Sequence, residues 1–317
     1  MTLLSMPADP RVCPILFGIA PPRANNPPEK THRITGRRAE RLAQAGVDGL
    51  MVYDIQNEDE RTEGERPFPY LPPIDPIRYV RDYLDKTSAA SLPKIVYQAV
   101  TGRSRTQLET FFADLDPRRE ATVLVGAPTR DAKRVTSLNE AYELRARLAP
   151  GIKTGGVAIP ERHARKGDEH ERLAAKQEAG CSFFVTQCIY DATGAKNMLS
   201  AYHYDVQDRG GEPARIILTL SPCGSAKTLE FMKWLGISFP EWIERELSRS
   251  DDTLRRSVAA CLGVAEDLGR FCADRGIPFG YCVESVSIKK DEIDAAGELA
   301  RRIGELVGHF GFRPFTR

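Results

Sequence analysis

The sequence predicts an α/β chain folded as a single (β/α)8 TIM barrel, with an extra helical insertion before the last strand. Three observations carry this. At 317 residues the chain is long for an ordinary domain but normal for one barrel. Short, near-continuous apolar runs alternate with charged helical segments along the whole length, as expected of strands covered on both faces. No G-x-G-x-x-G follows the first strand and no phosphate-binding loop is present, so a dinucleotide-binding doubly wound sheet has no anchor.

The elements follow in order. After a Pro-rich lead, residues 15–20 (ILFGIA) form strand 1, stopped by Pro21 and Pro22. Residues 33–45 form helix 1, closed by Gly46, and 49–54 (GLMVYD) form strand 2. The polar, Pro-rich stretch 55–73 is too long for an idle connection and reads as a functional loop. Helix 2 spans 75–86 with Asp75 as its cap; strand 3 is 93–99 and helix 3 is 104–115. Strand 4 is 122–127, and helix 4 (137–148) opens on a Ser137/Glu140 capping box. Strand 5 (154–159), a loop, helix 5 (168–179) and strand 6 (182–187) follow. After a helical region at 191–208 come strand 7 (215–220), helix 7 (225–234), the inserted helical stretch 239–270, strand 8 (278–284) and a closing helix at 291–308. The whole chain, 1–317, reads as one domain.

Composition excludes several classes. Lys and Arg (45) balance Asp and Glu (44), so nothing points to nucleic acid or an anionic membrane surface. No apolar run reaches the roughly 18 residues of a membrane span, and the N-terminus lacks the pattern of a signal peptide, so a cytoplasmic location is expected. Seven cysteines without a CxxC pair read as buried free thiols, and no metal site is expected.

In a barrel, the C-terminal ends of the strands line one mouth. Here that ring holds Gly18–Arg23, Tyr53 and Asp54, Tyr97 and Gln98, Gly126 and Ala127, Pro160–His163, Thr186 and Gln187, Ser221–Cys223, and Glu284 and Ser285. Amides, hydroxyls, aromatics and a few carboxylates suit an extended, partly aromatic ligand. Each has a structural alternative. Gln187 is a ligand contact or an amide that caps loop backbone; Asp54 is catalytic or caps its own loop. Glu284 ends an apolar run, where an unpaired carboxylate is costly, so it needs a partner such as Lys289, Lys290 or a ligand. His163 and Lys176 are functional or plain surface groups. Tyr281 and Trp234 read as core, and the basic run 33–41 as a solvated helix face.

FGIAPPR at the end of strand 1, the segment KQEAGCSFFVTQCIYD (176–191) and LGISFPEWI (235–243) together resemble the methylenetetrahydrofolate reductases, with the strongest likeness over 155–191. The resemblance implies a (β/α)8 barrel that binds FAD and reduces 5,10-methylenetetrahydrofolate to 5-methyltetrahydrofolate with NAD(P)H; the departures from the family pattern leave direct hydride transfer without flavin as the other route. The resemblance places Gln187 on the pterin; Tyr53, at the mouth end of strand 2, is the other expected substrate contact. The resemblance also sets His163, Glu169 and Lys176 near the flavin's ribityl, sugar and phosphate parts. Against that pattern, the strand 1 catalytic glutamate is Gly18, and the Arg-Gly-Asp after strand 4 is Val125-Gly126-Ala127. Asp54 is then the first candidate proton donor, Glu284 the second and Glu161 the third. Alternatives are another folate-dependent one-carbon enzyme and a non-catalytic folate- or flavin-binding partner. The family's habit implies a homo-oligomer, with Tyr202, Tyr204 or Trp242 as interface candidates.

Overall fold

The computed structural model describes residues 11–58, 64–126, 135–310 and 312. Ala127 therefore lies outside the described residues. Eight parallel strands close into a barrel in sequence order: β1 (Ile15–Ile19), β2 (Gly49–Val52), β3 (Lys94–Ala99), β4 (Glu120–Val125), β5 (Lys153–Ala158), β6 (Cys181–Cys188), β7 (Arg215–Leu220) and β8 (Phe279–Glu284). Closure comes from β8 pairing with β1, which sets Gly18 opposite Glu284.

Alternation along each strand divides the apolar residues into two cores. Leu16, Met51, Ile95, Val123, Val185, Ile217 and Cys282 fill the barrel interior. Their neighbours Phe17, Val52, Val96, Leu124, Phe184, Leu218 and Val283 face the helices. At Gly155 an added Cβ would stand 2.4 Å from the Phe183 ring, so the glycine makes room for an interior phenylalanine.

The helices are α1 (Pro28–Ala45), α2 (Pro76–Asp82), α3 (Arg105–Asp114), α4 (Leu138–Leu148), α5 (Pro160–Lys166), α6 (Glu169–Glu178), α7 (Ala192–Asp208), α8 (Ala226–Trp234), α9 (Glu241–Arg249), α10 (Thr253–Arg275) and α11 (Lys290–His309). The Ser137/Glu140 capping box forms, and Gly46 closes α1 in the left-handed conformation at φ 65°.

Several expectations are corrected. Helix α1 starts five residues early, because Pro28 suits the first helical position. The segment after β5, expected as loop, is helix α5, opened by Pro160 and stopped by Gly167 at φ 71°. The inserted stretch is two helices, split before α10 by Asp252, whose side chain caps the Arg255 amide. Tyr202 is buried and held by Gln177 and the Ala214 amide, so it belongs to the core. Tyr204 and Trp242 remain exposed. All seven cysteines are buried free thiols, and Tyr281 and Trp234 are core, as expected. No described helix is long and apolar enough to cross a membrane.

Candidate active site

The mouth is built one layer above the interior apolar residues. Tyr53 follows β2 and Tyr97 sits in β3; their rings meet edge-on at 4.8 Å. The Tyr53 hydroxyl lies 3.7 Å from Cys282 Sγ and stands beside Glu284, the two residues flanking Gly18. Burial drives the Glu284 carboxyl up from its ordinary value, and the neighbouring Tyr53 hydroxyl only partly offsets this. Tyr53 and Tyr97 are pushed well up, first by burial, so both hydroxyls stay protonated donors. Glu284 is half-buried, so it is enclosed by these groups while keeping a face toward the mouth.

The group beside Glu284 is thus a tyrosine rather than either of the two lysines. Lys289 instead bonds Ser225 Oγ at 2.9 Å and lies 3.6 Å from Glu292. Lys290 faces a cavity between α1 and α11.

Gly18 explains why this pair fits. A Cβ at that position would sit 2.7 Å from Tyr53 Cε2, 2.8 Å from its hydroxyl and 2.9 Å from Glu284 Cβ. Tyr53 and Glu284 occupy the space a strand 1 side chain would need. The carboxylate at this level of the barrel stands on β8, one strand over and in register.

Asp54 faces the other way. Its Oδ2 accepts from the Ala99 amide at 2.9 Å and from Gln98 Nε2 at 3.3 Å, and its Oδ1 accepts from Gln56 at 2.6 Å. Burial raises its carboxyl, opposed first by the Ala99 amide. This is a carboxylate closing the ends of β2 and β3.

Gln187 lies at a break in register between Val185 and Cys188 that re-aims the end of β6. Its Oε1 accepts from the Cys188 amide at 3.0 Å, and its Nε2 donates to the Leu235 carbonyl at 3.2 Å. The amide fastens the chain after α8 over the mouth. Glu161 holds the same chain through the Ser238 amide at 3.4 Å, its carboxyl raised by burial.

His163, Glu169 and Lys176 gather on the outer side of β5. Glu169 is fully buried; its oxygens accept from the Ile159 amide at 2.9 Å and from Arg162 at 2.7 Å. The Lys176 ammonium donates to the Val157 carbonyl at 2.5 Å, and its stem lies against outward-facing Gly156. Burial lowers the Lys176 amine and also the His163 imidazole, whose ring packs edge-on to His170 at 5.3 Å. The three are brought together, but Glu169 and Lys176 spend their polar atoms between helix and sheet.

Residues 64–70 of the loop after β2 are tied to α8. The loop after β2 reaches α8, where Gly64 accepts from Trp234 Nε1 at 3.0 Å. The Arg66 guanidinium lies over Trp234 (5.1 Å), Tyr70 (5.4 Å) and Phe231 (5.6 Å), and Phe68 meets Phe231 edge-on. The return path is fixed at Pro73 against Arg23 and by the Ile74 amide on Pro22. The Pro-aromatic spacing of RPFPYLPP was the available signal.

The mouth thus brings together a carboxyl raised by burial and two tyrosine hydroxyls that remain donors, a set of groups suited to holding or moving a proton. The chain matches the family described as "Methylenetetrahydrofolate reductase" over residues 124–274. It is similar to a solved structure from Clostridium thermocellum, an uncharacterized protein that binds two copies of 5-methyl-5,6,7,8-tetrahydrofolic acid. Identity is 38%, covering 93% of this chain and 96% of that one, with a TM-score of 0.80. A looser match is 2,3-dimethylmalate lyase of the PEP mutase/isocitrate lyase superfamily, 12% identical over 86% of this chain and 75% of the other, with a TM-score of 0.46. No protein of curated function matches. The closed barrel, the family match through β5 to α10 and a relative alike almost end to end lead to one assignment: the chain belongs to the methylenetetrahydrofolate reductase family.

Proposed function

We propose that this chain reduces 5,10-methylenetetrahydrofolate to 5-methyltetrahydrofolate with NAD(P)H, with Glu284 as the proton donor. The observation that carries this is the Glu284–Tyr53 pair standing where a strand 1 carboxylate would reach. Protonated Glu284 gives its proton to N10 of the bridged folate. The C–N10 bond breaks, leaving an iminium at N5, and hydride adds to the iminium carbon to make the methyl group. The Tyr53 hydroxyl steadies the carboxylate left behind, which regains a proton through the mouth. Asp54 is a positioning residue in this reading, because the ends of β2 and β3 occupy both its oxygens. The pterin takes Gln187 in place of the Leu235 carbonyl, and Tyr53 and Tyr97 wall the site.

FAD, which the family resemblance implies, does not fit the residues assigned to it. Glu169 and Lys176 are committed to the β5–α5 junction. We therefore route the hydride directly from nicotinamide to folate. The loop after β2, clamped through Arg66, keeps water from the iminium.

NAD(P)H oxidation by the purified protein with 5,10-methylenetetrahydrofolate is the test. Glu284→Gln is expected to lose about 10²–10⁴-fold in kcat, the usual worth of a positioned acid, and Asp54→Asn much less. Equal turnover in wild type and Glu284→Gln overturns the assignment. A second reading, a folate-binding protein without turnover, is favoured by the two methyltetrahydrofolate molecules that the Clostridium thermocellum relative binds. Tight folate binding with no NAD(P)H oxidation would select it.

A further inference from the structure

A cavity of about 590 Å³ opens between α1 and α11 at the rim of the barrel, outside the mouth. Its volume falls within the ordinary range for small-molecule sites. Its inner end is formed by Phe17–Ala20 and by the Ser285–Ile288 loop, the two stretches that meet at the Gly18–Glu284 seam. It therefore adjoins the reaction site without being part of it.

The walls are of two kinds. Phe17, Leu42, Val286 and Ile293 offer an apolar surface, and Ile288 stands 80% exposed at the lip. Among the four cations of the wall, Arg41 pairs with Asp294 and Arg301 with Glu298 and Glu305, which leaves Arg38 and Lys290 as the two without a carboxylate among the described residues. Arg38 bonds the Ala20 carbonyl through Nη1 and Arg41 bonds Asp294 through Nε, so neither guanidinium fork is fully used by these bonds. The basic run of α1, read from sequence as a solvated face, thus turns two of its arginines into this cavity. On the opposite wall α11 carries Gly297, where an added Cβ would meet nothing within 4 Å. A mid-helix glycine costs about 1 kcal/mol against alanine, and here it leaves the cavity open.

We infer that this cavity is a second reduced-folate site. Its apolar wall takes the ring system, and its surplus of two positive charges faces the two carboxylates of the folate's glutamate tail. The inference rests on the folate reading above. A nicotinamide dinucleotide shares the pattern of flat ring and anionic tail, so the experiment separates the two.

The binding stoichiometry of 5-methyltetrahydrofolate is measured by calorimetry on wild type, Gly297→Leu and Lys290→Glu, with NADH titrated in parallel and NADH oxidation assayed. Gly297→Leu fills the cavity from a position with free space and a better helix former, so folding is not at risk. Wild type is expected to bind two folates per chain and Gly297→Leu one, with turnover kept. Lys290→Glu is expected to weaken one of the two events roughly fivefold. One folate per wild-type chain, or two per Gly297→Leu chain, overturns the inference. So does a Gly297→Leu chain that keeps both folates but loses NADH affinity, because the cavity then holds the dinucleotide. Two folates falling to one in a chain that never oxidises NADH supports the cavity site and removes the reductase reading instead.

Discussion

Adding one methyl group at Gly18 probes the site's geometry. The backbone there needs no glycine conformation, since Gly18 is not among the residues with positive φ. The effect of Gly18→Ala is therefore steric. The new Cβ would lie 2.7–2.9 Å from Tyr53 and Glu284, where ordinary contacts begin near 3.4 Å. The Tyr53 ring and Glu284 must move apart by more than half an ångström. The alanine contributes roughly 0.4–1 kcal/mol by restricting the unfolded chain, while overpacking costs about 1–3 kcal/mol. The net expectation is a loss of about 1–2 kcal/mol in denaturant unfolding. Displacing catalytic groups by up to an ångström costs on the order of 10²-fold in rate, so kcat should fall about 100-fold while stability falls only modestly. Wild-type kcat with an unchanged unfolding midpoint would refute the placement of Tyr53 and Glu284 around this glycine.

Other outcomes follow from the same geometry. The raised Glu284 carboxyl makes turnover fall as pH climbs through its pKa, and Glu284→Gln should erase that limb of the kcat profile. Because the folded state holds this proton more tightly than the unfolded chain, Glu284 contributes stability below the ordinary glutamate pKa that is lost as pH rises through the raised one. Glu284→Gln should therefore unfold at higher temperature than wild type above that window, with the gap closing below it. Arg66→Ala removes three ring contacts and should loosen the loop by about 1–3 kcal/mol, seen as faster proteolysis within 55–73 and a raised KM. At the opposite end of the barrel, buried Glu120 pairs with Arg81 through 2.5 and 2.6 Å bonds. Removing Arg81 by Arg81→Ala should cost about 2–3 kcal/mol, less than a fully buried pair because Arg81 is partly exposed, and should leave kcat unchanged.

The barrel was legible because its strands are apolar on both faces and its helices carry capping chemistry that acts locally. Ser137 with Glu140 and Asp75 with its proline can be read within four residues. The site was legible only in part. Glu284 stood out as a carboxylate ending an apolar run, but its partner, Tyr53, lies 231 residues away, and only closure of β8 on β1 brings the two together. Asp54 shows the reverse case. Polar residues at strand ends look alike in sequence whether they serve a ligand or the neighbouring backbone, and Asp54 holds the Ala99 amide. Glu169 and Lys176 matched a family pattern by spacing, yet spacing does not say which side of β5 they occupy. Gly156 facing outward decides it. The aromatic clamp around Arg66 joins the loop after β2 to the helix after β7, and the sequence signals only its near half, in the spacing of RPFPYLPP.

The central claim is direct hydride transfer to folate at a site whose acid is Glu284. It is tested by turning over 5,10-methylenetetrahydrofolate with NADH deuterated at the transferred hydrogen, using protein purified without added flavin, and reading the product methyl group by mass spectrometry. Full retention of deuterium by a protein with no flavin absorbance in the visible is the predicted result. A bound flavin, deuterium washed out to solvent, or no methyltetrahydrofolate formed would contradict it.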